Sequence, residues 1–205
     1  MTPITPLTYL QNRRNQLAKN IQNGIVILPT APQCTRNNHT TFPFRPDSNF
    51  LYLTDFPEPE AIAVWEIMDG SIMQSTLFCR PSDPDREIWE GPRYGPDKAK
   101  SQFGFDQGYP IDEFTTRIQE LLLGQTNVYY PFHAPVQWDH QVTSLVTAAE
   151  AKRKPGTISP SGIFDLRPSL AALRLIKERH EIQTMRQAPA ISVEAHRRAM
   201  AATKP

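Results

Sequence analysis

Apolar residues along the chain fall either at helical spacing or in short continuous runs, and the alternation of the two predicts a layered α/β domain. The run 24–29, Gly-Ile-Val-Ile-Leu-Pro, is typical of a buried strand. Gly24 is placed to end a helix that precedes this strand. The apolar positions of that helix lie close to one stripe: Leu7, Leu10, Leu17, Ala18 and Ile21.

Two further β-rich runs, 61–68 and 72–80, lie on either side of Asp69-Gly70-Ser71. An Asp-Gly pair between such runs predicts a hairpin, because these residues accept the positive φ angles of a two-residue turn. The pattern therefore predicts two adjacent antiparallel strands.

The middle of the chain continues to alternate helices with strands, and glycine or proline follows each predicted helix. Together with the hairpin, this alternation predicts an α/β fold in which a mixed β-sheet is flanked by helices on both faces. The predicted elements are a helix at 97–103 stopped by Gly104, a helix at 112–123 capped by Asp112 and stopped by Gly124, a strand at 127–130, and a helix at 136–154 ended by Pro155-Gly156.

The segment 42–61, FPFRPDSNFLYLTDFPEPEA, has the most distinctive pattern in the chain. It opens with an aromatic-Pro-aromatic-Arg turn at 42–45, and the Asp-Ser pair that follows suits a turn or a cap. Residues 50–55 then alternate Phe, Tyr and Thr with Leu, Leu and Asp, which predicts a strand with large side chains on both faces. The Pro-Glu-Pro-Glu run at 57–60 would end that strand, because proline cannot donate to a ladder.

Charge and composition exclude several classes of function. Lys and Arg number 22 against 21 Asp and Glu, so the formal net charge is +1 and a basic nucleic-acid groove is not expected. No run reaches the roughly 18 apolar residues of a membrane span, and the first residues lack the blocks of a secretory signal. Cys34 and Cys79 are far apart and outside any Cys-x-x-Cys pair, so we expect reduced cysteines and a cytoplasmic location.

The chain carries no residue pattern for catalysis of its own. No serine stands in a Gly-x-Ser-x-Gly elbow, and no glycine-rich phosphate loop is present. We therefore expect neither a metal site nor a catalytic residue within these residues. The five histidines form no His-x-x-x-His or His-Glu-x-x-His motif: His39, His133, His140, His180 and His196.

The order and spacing of residues 42–61 resemble the signature of the N-terminal domain of aminopeptidase P (Xaa-Pro aminopeptidase), in the pita-bread metallopeptidase superfamily. Residues 163–168, Ile-Phe-Asp-Leu-Arg-Pro, resemble the element that closes that domain, and residues 174–182 resemble the entry to the first helix of the catalytic domain. The resemblance implies an N-terminal domain at 1–173, followed at 174–205 by a linker and the first helix of a truncated C-terminal catalytic domain.

A long helix is predicted from about Glu178 to Ala202. We expect a kink or break at Pro189, because proline costs about 3 kcal/mol in a helix interior. Natural domains rarely end one helix into the next, so we expect the sequence to be a fragment. The apolar stripe of this helix would lack cover in a free-standing protein, which argues against an independent interaction module or pseudoenzyme relic.

Members of the resembled family release the N-terminal residue from peptides that have proline at position 2. Their two metal ions, usually manganese, are held by two Asp, one His and two Glu of the C-terminal domain, where a bridging hydroxide attacks the peptide carbonyl. The resemblance thus implies a non-catalytic domain that contributes to the substrate entrance and to oligomer assembly. The implied partners are its own catalytic domain, further copies in a dimer or tetramer, and the peptide substrate.

Residues 83–95, DPDREIWEGPRYG, surround Trp89. Glu-Ile-Trp followed by Gly and Arg93 resembles a family motif whose tryptophan, in bacterial members, crosses a subunit interface and helps wall the neighbour's active site. His39 stands where related chains place an acidic residue near the substrate's free amine. The resemblance therefore makes Trp89, His39 and Arg93 candidates for the substrate entrance.

Each of these residues also has a simpler interpretation. Trp89 could anchor its loop on its own domain, Arg93 could be a solvated surface arginine, and His39 could be a solvent-facing loop histidine. The whole protein also has an alternative function, as a Xaa-Pro dipeptidase or a creatinase-like amidinohydrolase. The aromatic-Pro-aromatic-Arg turn together with Glu-Ile-Trp favours the aminopeptidase.

Overall fold

The computed structural model describes residues 5–38, 40–132 and 137–204. The chain divides into two compact units, with the boundary between Leu170 and Ala171. The strands are β1 (Gly24–Pro29), β2 (Thr35–Asn37), β3 (Thr40–Thr41), β4 (Ile62–Met68), β5 (Ser71–Cys79), β6 (Gln107–Pro110), β7 (Asn127–Tyr130) and β8 (Gly162–Asp165). The helices are α1 (Leu7–Ile21), α2 (Ser48–Thr54), α3 (Pro84–Glu90), α4 (Gly95–Phe103), α5 (Phe114–Leu122), α6 (Gln137–Ala151), α7 (Arg167–Leu175) and α8 (Arg179–Ala202).

Six strands of the first unit form one mixed sheet in the order β6-β5-β4-β1-β7-β8. The central pairs β1–β4 and β4–β5 are antiparallel, whereas β5–β6, β1–β7 and β7–β8 are parallel. Met68 pairs with Ser71, and Asp69 (φ 49°) and Gly70 (φ 71°) form the turn between them. The predicted hairpin and the predicted mixed sheet are both confirmed.

Helices cover both faces of this sheet, as the sequence predicts. Along β1, Ile25 and Ile27 face the core beneath α5 and α6, which contribute Phe114, Ile118 and Val142. On the opposite face α1 and α4 pack against β5. Because side chains alternate along a strand, β1 supplies both cores and is buried throughout its length. The sheet therefore lies between two helical layers and carries the core of the first unit.

The strand predicted at residues 50–55 is wrong, because residues 50–54 belong to helix α2 and Asp55 is its C-cap. Asp47 caps the helix, and its Oδ1 accepts hydrogen bonds from the N–H groups of Asn49 (2.8 Å) and Phe50 (2.9 Å). The buried side chains Phe50, Leu53 and Thr54 have the i, i+3, i+4 spacing of one helical face. The alternation of aromatic and apolar residues was compatible with both periods, and the cap decides for the helix.

Two predicted helix boundaries are also wrong. Helix α1 ends at Gln22, whose φ of 67° turns the chain and whose N–H donates to Ala18 O at 2.9 Å. Gly24 instead begins β1, where an added Cβ would lie 2.6 Å from Asn127 O. Asp112 does not cap α5, because it lies within a single 3-10 turn at Ile111–Glu113 that leads into the helix.

The second unit contains the long helix α8, which confirms the helix predicted from about residue 178 to residue 202. Its N-terminus has a capping box, in which Glu178 N–H donates to Glu181 Oε2 at 3.0 Å. A kink or a break is predicted at Pro189; the helix continues through Pro189, so it is not broken there, and a kink stays a prediction. In the part of the chain that the structure describes, no helix has the combined length and hydropathy of a membrane span.

Candidate functional site

A cleft of about 890 Å³ lies beside the segment 83–95, entirely within the first unit. It brings together chain segments that are far apart in the sequence: the approach to β4, the end of β5, and the connection between α3 and α4. Its charged and aromatic lining consists of Phe44, Glu58, Glu60, Arg80, Trp89, Glu90, Arg93, Tyr94 and Lys98. Acidic and basic side chains are therefore equally represented around this cleft.

Helix α3 carries the predicted tryptophan and is fixed at both of its ends by local signals. Asp83 Oδ1 accepts a hydrogen bond from Arg86 N–H at 3.2 Å, and Pro84 occupies the first helical position. The helix stops at Gly91, which has a φ of 87°. No residue of α3 is buried, so apolar packing does not hold this helix on its domain.

Trp89 projects into solvent with 88% of its surface exposed, and the preceding Ile88 is 76% exposed. The interpretation that Trp89 anchors a loop on its own domain is therefore wrong. A large aromatic side chain in this state leaves apolar area in water, which is uncommon unless another surface covers it.

Arg93 is buried, with 6% exposure, so its interpretation as a solvated surface arginine is wrong. Its Nη2 donates to Glu90 Oε2 at 2.6 Å, and its Nη1 donates to Pro81 O at 3.4 Å. Arg80, which directly follows β5, places Nη1 3.6 Å from the same Glu90 carboxylate. Glu90 thus lies between two guanidinium groups and interacts with both.

Glu58 completes this cluster from the opposite wall. It is 8% exposed, and its Oε1 accepts a hydrogen bond from Tyr94 N–H at 2.7 Å. Its Oε2 lies 3.9 Å from Arg80 Nη2. Burial raises the pKa of the Glu58 carboxyl, while the Tyr94 hydrogen bond and the charges of Arg80 and Arg93 oppose that rise.

The cluster retains unused hydrogen-bonding capacity. Glu58 Oε2, Arg80 Nε and Arg93 Nε are buried and have no hydrogen-bond partner among the described residues. Buried polar atoms of this kind are uncommon and usually indicate an ordered water, a ligand or a strained arrangement. The chemistry of the cleft is thus that of a paired and partly desolvated charge network.

The segment after the cluster is anchored by aromatic packing. Tyr94 meets Phe103 edge-on, with ring centroids 4.9 Å apart, and also contacts Phe56 at 5.7 Å. Phe56 and Phe103 are fully buried. The connection between α3 and α4 is therefore rigid at Tyr94, whereas α3 itself is held by polar contacts.

Sequence reasoning selected Trp89 and Arg93 but missed Glu58, Arg80 and Glu90. The prolines at 57–60 were interpreted as a strand end, and the glutamates between them were given no role. A usable signal was present, because the hairpin pairs Ile62 with Phe78 and so brings the residues before β4 beside those after β5. Of the three predicted entrance residues, His39 lies outside the described residues.

No group of three or more His, Cys, Asp or Glu side chains among the described residues is arranged to hold a metal ion. Glu58 and Glu90 each lie beside a guanidinium group, which leaves these two carboxylates poorly suited as metal ligands. The described part of this cleft can therefore position or bind a polar partner.

A family model and the sequences of known proteins indicate the same family for this chain. The model of the aminopeptidase P N-terminal domain matches residues 10–129. The Xaa-Pro aminopeptidase of Haemophilus influenzae is 33% identical over 201 residues, which cover 98% of this chain and 44% of that protein. The Xaa-Pro aminopeptidase of Escherichia coli is 34% identical over 199 residues, covering 95% of this chain and 44% of the relative.

Solved structures agree with the sequence relatives. Pseudomonas aeruginosa aminopeptidase PepP superposes with a TM-score of 0.92 at 35% identity, covering 100% of this chain and 46% of that one. Escherichia coli aminopeptidase P gives a TM-score of 0.92 at 32% identity, over 98% of this chain and 46% of the other. The chain thus spans less than half the length of these relatives. Since the family model covers more than half of the chain and the fold agrees along its length, the chain belongs to the aminopeptidase P N-terminal domain family.

Proposed function

We propose that this domain is the non-catalytic N-terminal part of a Xaa-Pro aminopeptidase that removes the first residue from peptides with proline in second position. In this proposal the domain shapes the substrate entrance and takes part in assembly of a dimer or tetramer. The observation that carries the proposal is Trp89, which is 88% exposed within the motif that resembles the family's interface tryptophan.

The physical basis of this role is the flat apolar surface of an indole. Such a surface packs well against proline or against an aliphatic side chain, and a deep pocket walled in this way limits the peptides that enter. Ile88 enlarges the apolar surface beside Trp89. A neighbouring subunit that covers this surface would remove it from water, so assembly and substrate selection would use the same residues.

The metal chemistry of the proposed enzyme would lie outside this chain. Two metal ions, manganese by resemblance, would supply the hydroxide that attacks the scissile carbonyl. They would be held by the C-terminal catalytic domain that we propose as the partner of this one. We also propose that the enzyme is located in the cytoplasm.

Substitution of Trp89 in the full-length parent enzyme tests the proposal. Trp89→Ala should raise KM for Xaa-Pro peptides longer than three residues by up to about tenfold, since an aromatic contact contributes on the order of 1 kcal/mol. Steady-state kinetics across a series of peptide lengths measures the effect. Met73→Ala is the matched control, because Met73 is also an exposed apolar residue, at 63%, but lies on β5 and does not line the cleft.

Metal analysis of the same variants separates an entrance role from a structural one. The metal content of Trp89→Ala should equal that of the parent, because no metal ligand is altered. Unchanged kinetics in Trp89→Ala, or loss of metal, would show the entrance role to be wrong. Activity confined to Xaa-Pro dipeptides would instead favour the dipeptidase alternative.

A further inference from the structure

We infer that Glu58, Arg80, Glu90 and Arg93 form a charge clamp that fixes helix α3 on the domain and so sets the direction in which Trp89 is presented. They are positioning residues, since they act through the helix. The functional consequence, though not the clamp itself, rests on the proposed role of Trp89 at the substrate entrance.

The first reason is that, among the described residues, the hydrogen bonds of α3 outside the clamp stay within residues 82–93. None of its residues is buried. Its N-terminal contacts are internal to the segment, because Ser82 Oγ (2.7 Å) and Asp83 N–H (3.1 Å) both donate to Glu87 Oε1. These bonds shape the helix and do not tie it to the sheet.

The second reason is the position of Glu90. It is the last residue of α3 and directly follows Trp89. Its carboxylate accepts from Arg93 at 2.6 Å and lies 3.6 Å from Arg80 Nη1. Because Arg80 directly follows the buried end of β5, this contact connects the helix to a rigid part of the sheet.

The third reason is that Arg80 is itself held. Arg80 lies beside Glu58, and Glu58 Oε1 accepts from Tyr94 N–H at 2.7 Å. Tyr94 packs against the buried rings of Phe56 and Phe103. A continuous path of contacts therefore runs from the aromatic core through Glu58 and Arg80 to Glu90.

Charge balance makes the clamp sensitive to single changes. Two carboxylates face two guanidinium groups, and Glu58 and Arg93 are each more than nine-tenths buried. Ionic contacts in partly desolvated surroundings are stronger than those in water, and removal of one partner leaves the others unbalanced. Glu90→Gln and Arg93→Met should therefore release α3 without disturbing the core.

Fluorine NMR of the full-length protein, labelled with 5-fluorotryptophan, reports on α3 directly. Trp65, Trp89 and Trp138 each contribute a resonance, and Trp89→Phe identifies the one of interest. In Glu90→Gln and Arg93→Met the Trp89 resonance should shift, and the resonances of Trp65 and Trp138 should stay in place and so report an intact fold. Arg93→Lys, which keeps the charge, should restore most of the parent spectrum.

Arg86→Met is the matched control for these variants. Arg86 forms an ion pair with Asp83 at 3.5 Å on the same helix, but it is not part of the cleft. Its removal should leave the Trp89 resonance unchanged. The clamp is overturned if Glu90→Gln and Arg93→Met leave that resonance in place, or if Arg86→Met moves it equally.

Kinetics then separates this inference from the proposed function. Glu90→Gln and Arg93→Met should raise KM for long peptides roughly threefold to tenfold with kcat little changed, because misplacement of a positioning group costs up to about a hundredfold. If the resonance moves while Trp89→Ala leaves KM unchanged, the clamp stands and the entrance role fails. If Trp89→Ala raises KM but neither clamp variant moves the resonance, the entrance role stands and the clamp fails.

Discussion

Arginine side chains are buried or partly buried in two regions of this domain, and the two regions use them differently. Arg13 and Arg14 on α1 are 3% and 4% exposed, and they donate to backbone carbonyl groups. Arg80 and Arg93 beside the cleft interact with the carboxylate of Glu90. The first pair has fixed, neutral acceptors, whereas the second pair depends on a flexible and titratable side chain.

Arg14 illustrates the first way of using a buried arginine, in which backbone carbonyl groups accept its hydrogen bonds. Its guanidinium donates to Leu53 O at 2.8 Å, Gly104 O at 2.7 Å and Phe103 O at 2.9 Å, and it lies over the Phe105 ring. These carbonyls lie at the C-terminal ends of α2 and α4, where carbonyl groups lack partners within the helix. One side chain thus joins three helices, whereas the clamp holds one surface helix.

The largest expected effect is on Arg14. Arg14→Met should lower the free energy of unfolding by about 3 kcal/mol, because three carbonyl groups lose their hydrogen-bond donor inside the protein. Urea denaturation followed by circular dichroism measures the loss. Arg86→Met, which alters an exposed arginine, should stay within about 0.5 kcal/mol of the parent. If Arg14→Met and Arg86→Met lost the same free energy of unfolding, the special role assigned to the buried Arg14 would be wrong.

A smaller, pH-dependent effect is expected at Glu58. Burial raises the pKa of its carboxyl in the folded state, so folding favours the protonated form. The resulting stabilisation is fully present below the unfolded pKa of about 4.3 and is lost as the pH rises through the folded pKa. Relative to Glu58→Gln, the parent should therefore be more stable at pH 4 than at pH 7.5.

Urea midpoints of both proteins at the two pH values test this direction. The amide oxygen introduced by Glu58→Gln can still accept from Tyr94 N–H, so the comparison isolates the charge of Glu58. Asp85→Asn, an exposed change on α3, controls for a general loss of negative charge. A stability difference that grows in favour of the parent as the pH rises would contradict the assigned sign.

The smallest effect is expected at Cys79, the last residue of β5, which directly precedes Arg80. Burial raises the pKa of the Cys79 thiol to about 12, and the charge of Glu58 adds to this rise. At pH 8 a thiol reagent should therefore label the exposed Cys34 and spare Cys79 in the folded protein. Glu90→Gln should leave this pattern unchanged, because the clamp holds α3 and not the sheet. Rapid labelling of Cys79 in that variant would show that the clamp also stabilises the core.

The sequence predicts those parts of the fold that depend on local signals. Asp69-Gly70 identifies the hairpin, and Gly104 and the Pro155-Gly156 pair mark helix ends near where the structure has them. Residues 50–55 mislead, because their aromatic alternation masks the helical spacing of the buried residues, although the Asp-Ser pair before them already suits a cap. The alternation there is compatible with both a strand and a helix, and the Asp47 cap decides for the helix.

The candidate site was predicted less completely for a different physical reason. Trp89 and Arg93 lie in one short segment that resembles a family motif, so the resemblance alone identifies them. Glu58, Arg80 and Glu90 are separated along the chain and meet because β4 and β5 pair in one register. Likewise, the pattern of polar and apolar positions classes Arg13 as polar. It cannot show that Arg13 donates to a backbone carbonyl inside the domain.

The strand order also has a consequence for biosynthesis. β1, β4, β5 and β6 are four adjacent strands of the six-stranded sheet and are complete once residue 110 has been made, whereas β7 and β8 are added at the other side of β1. Because domains begin to fold from the N-terminus during translation, these four strands, beside which the cleft lies, can form first. Ribosome-bound chains that end shortly after residue 110 should then already protect β1 from proteases along its edge with β4.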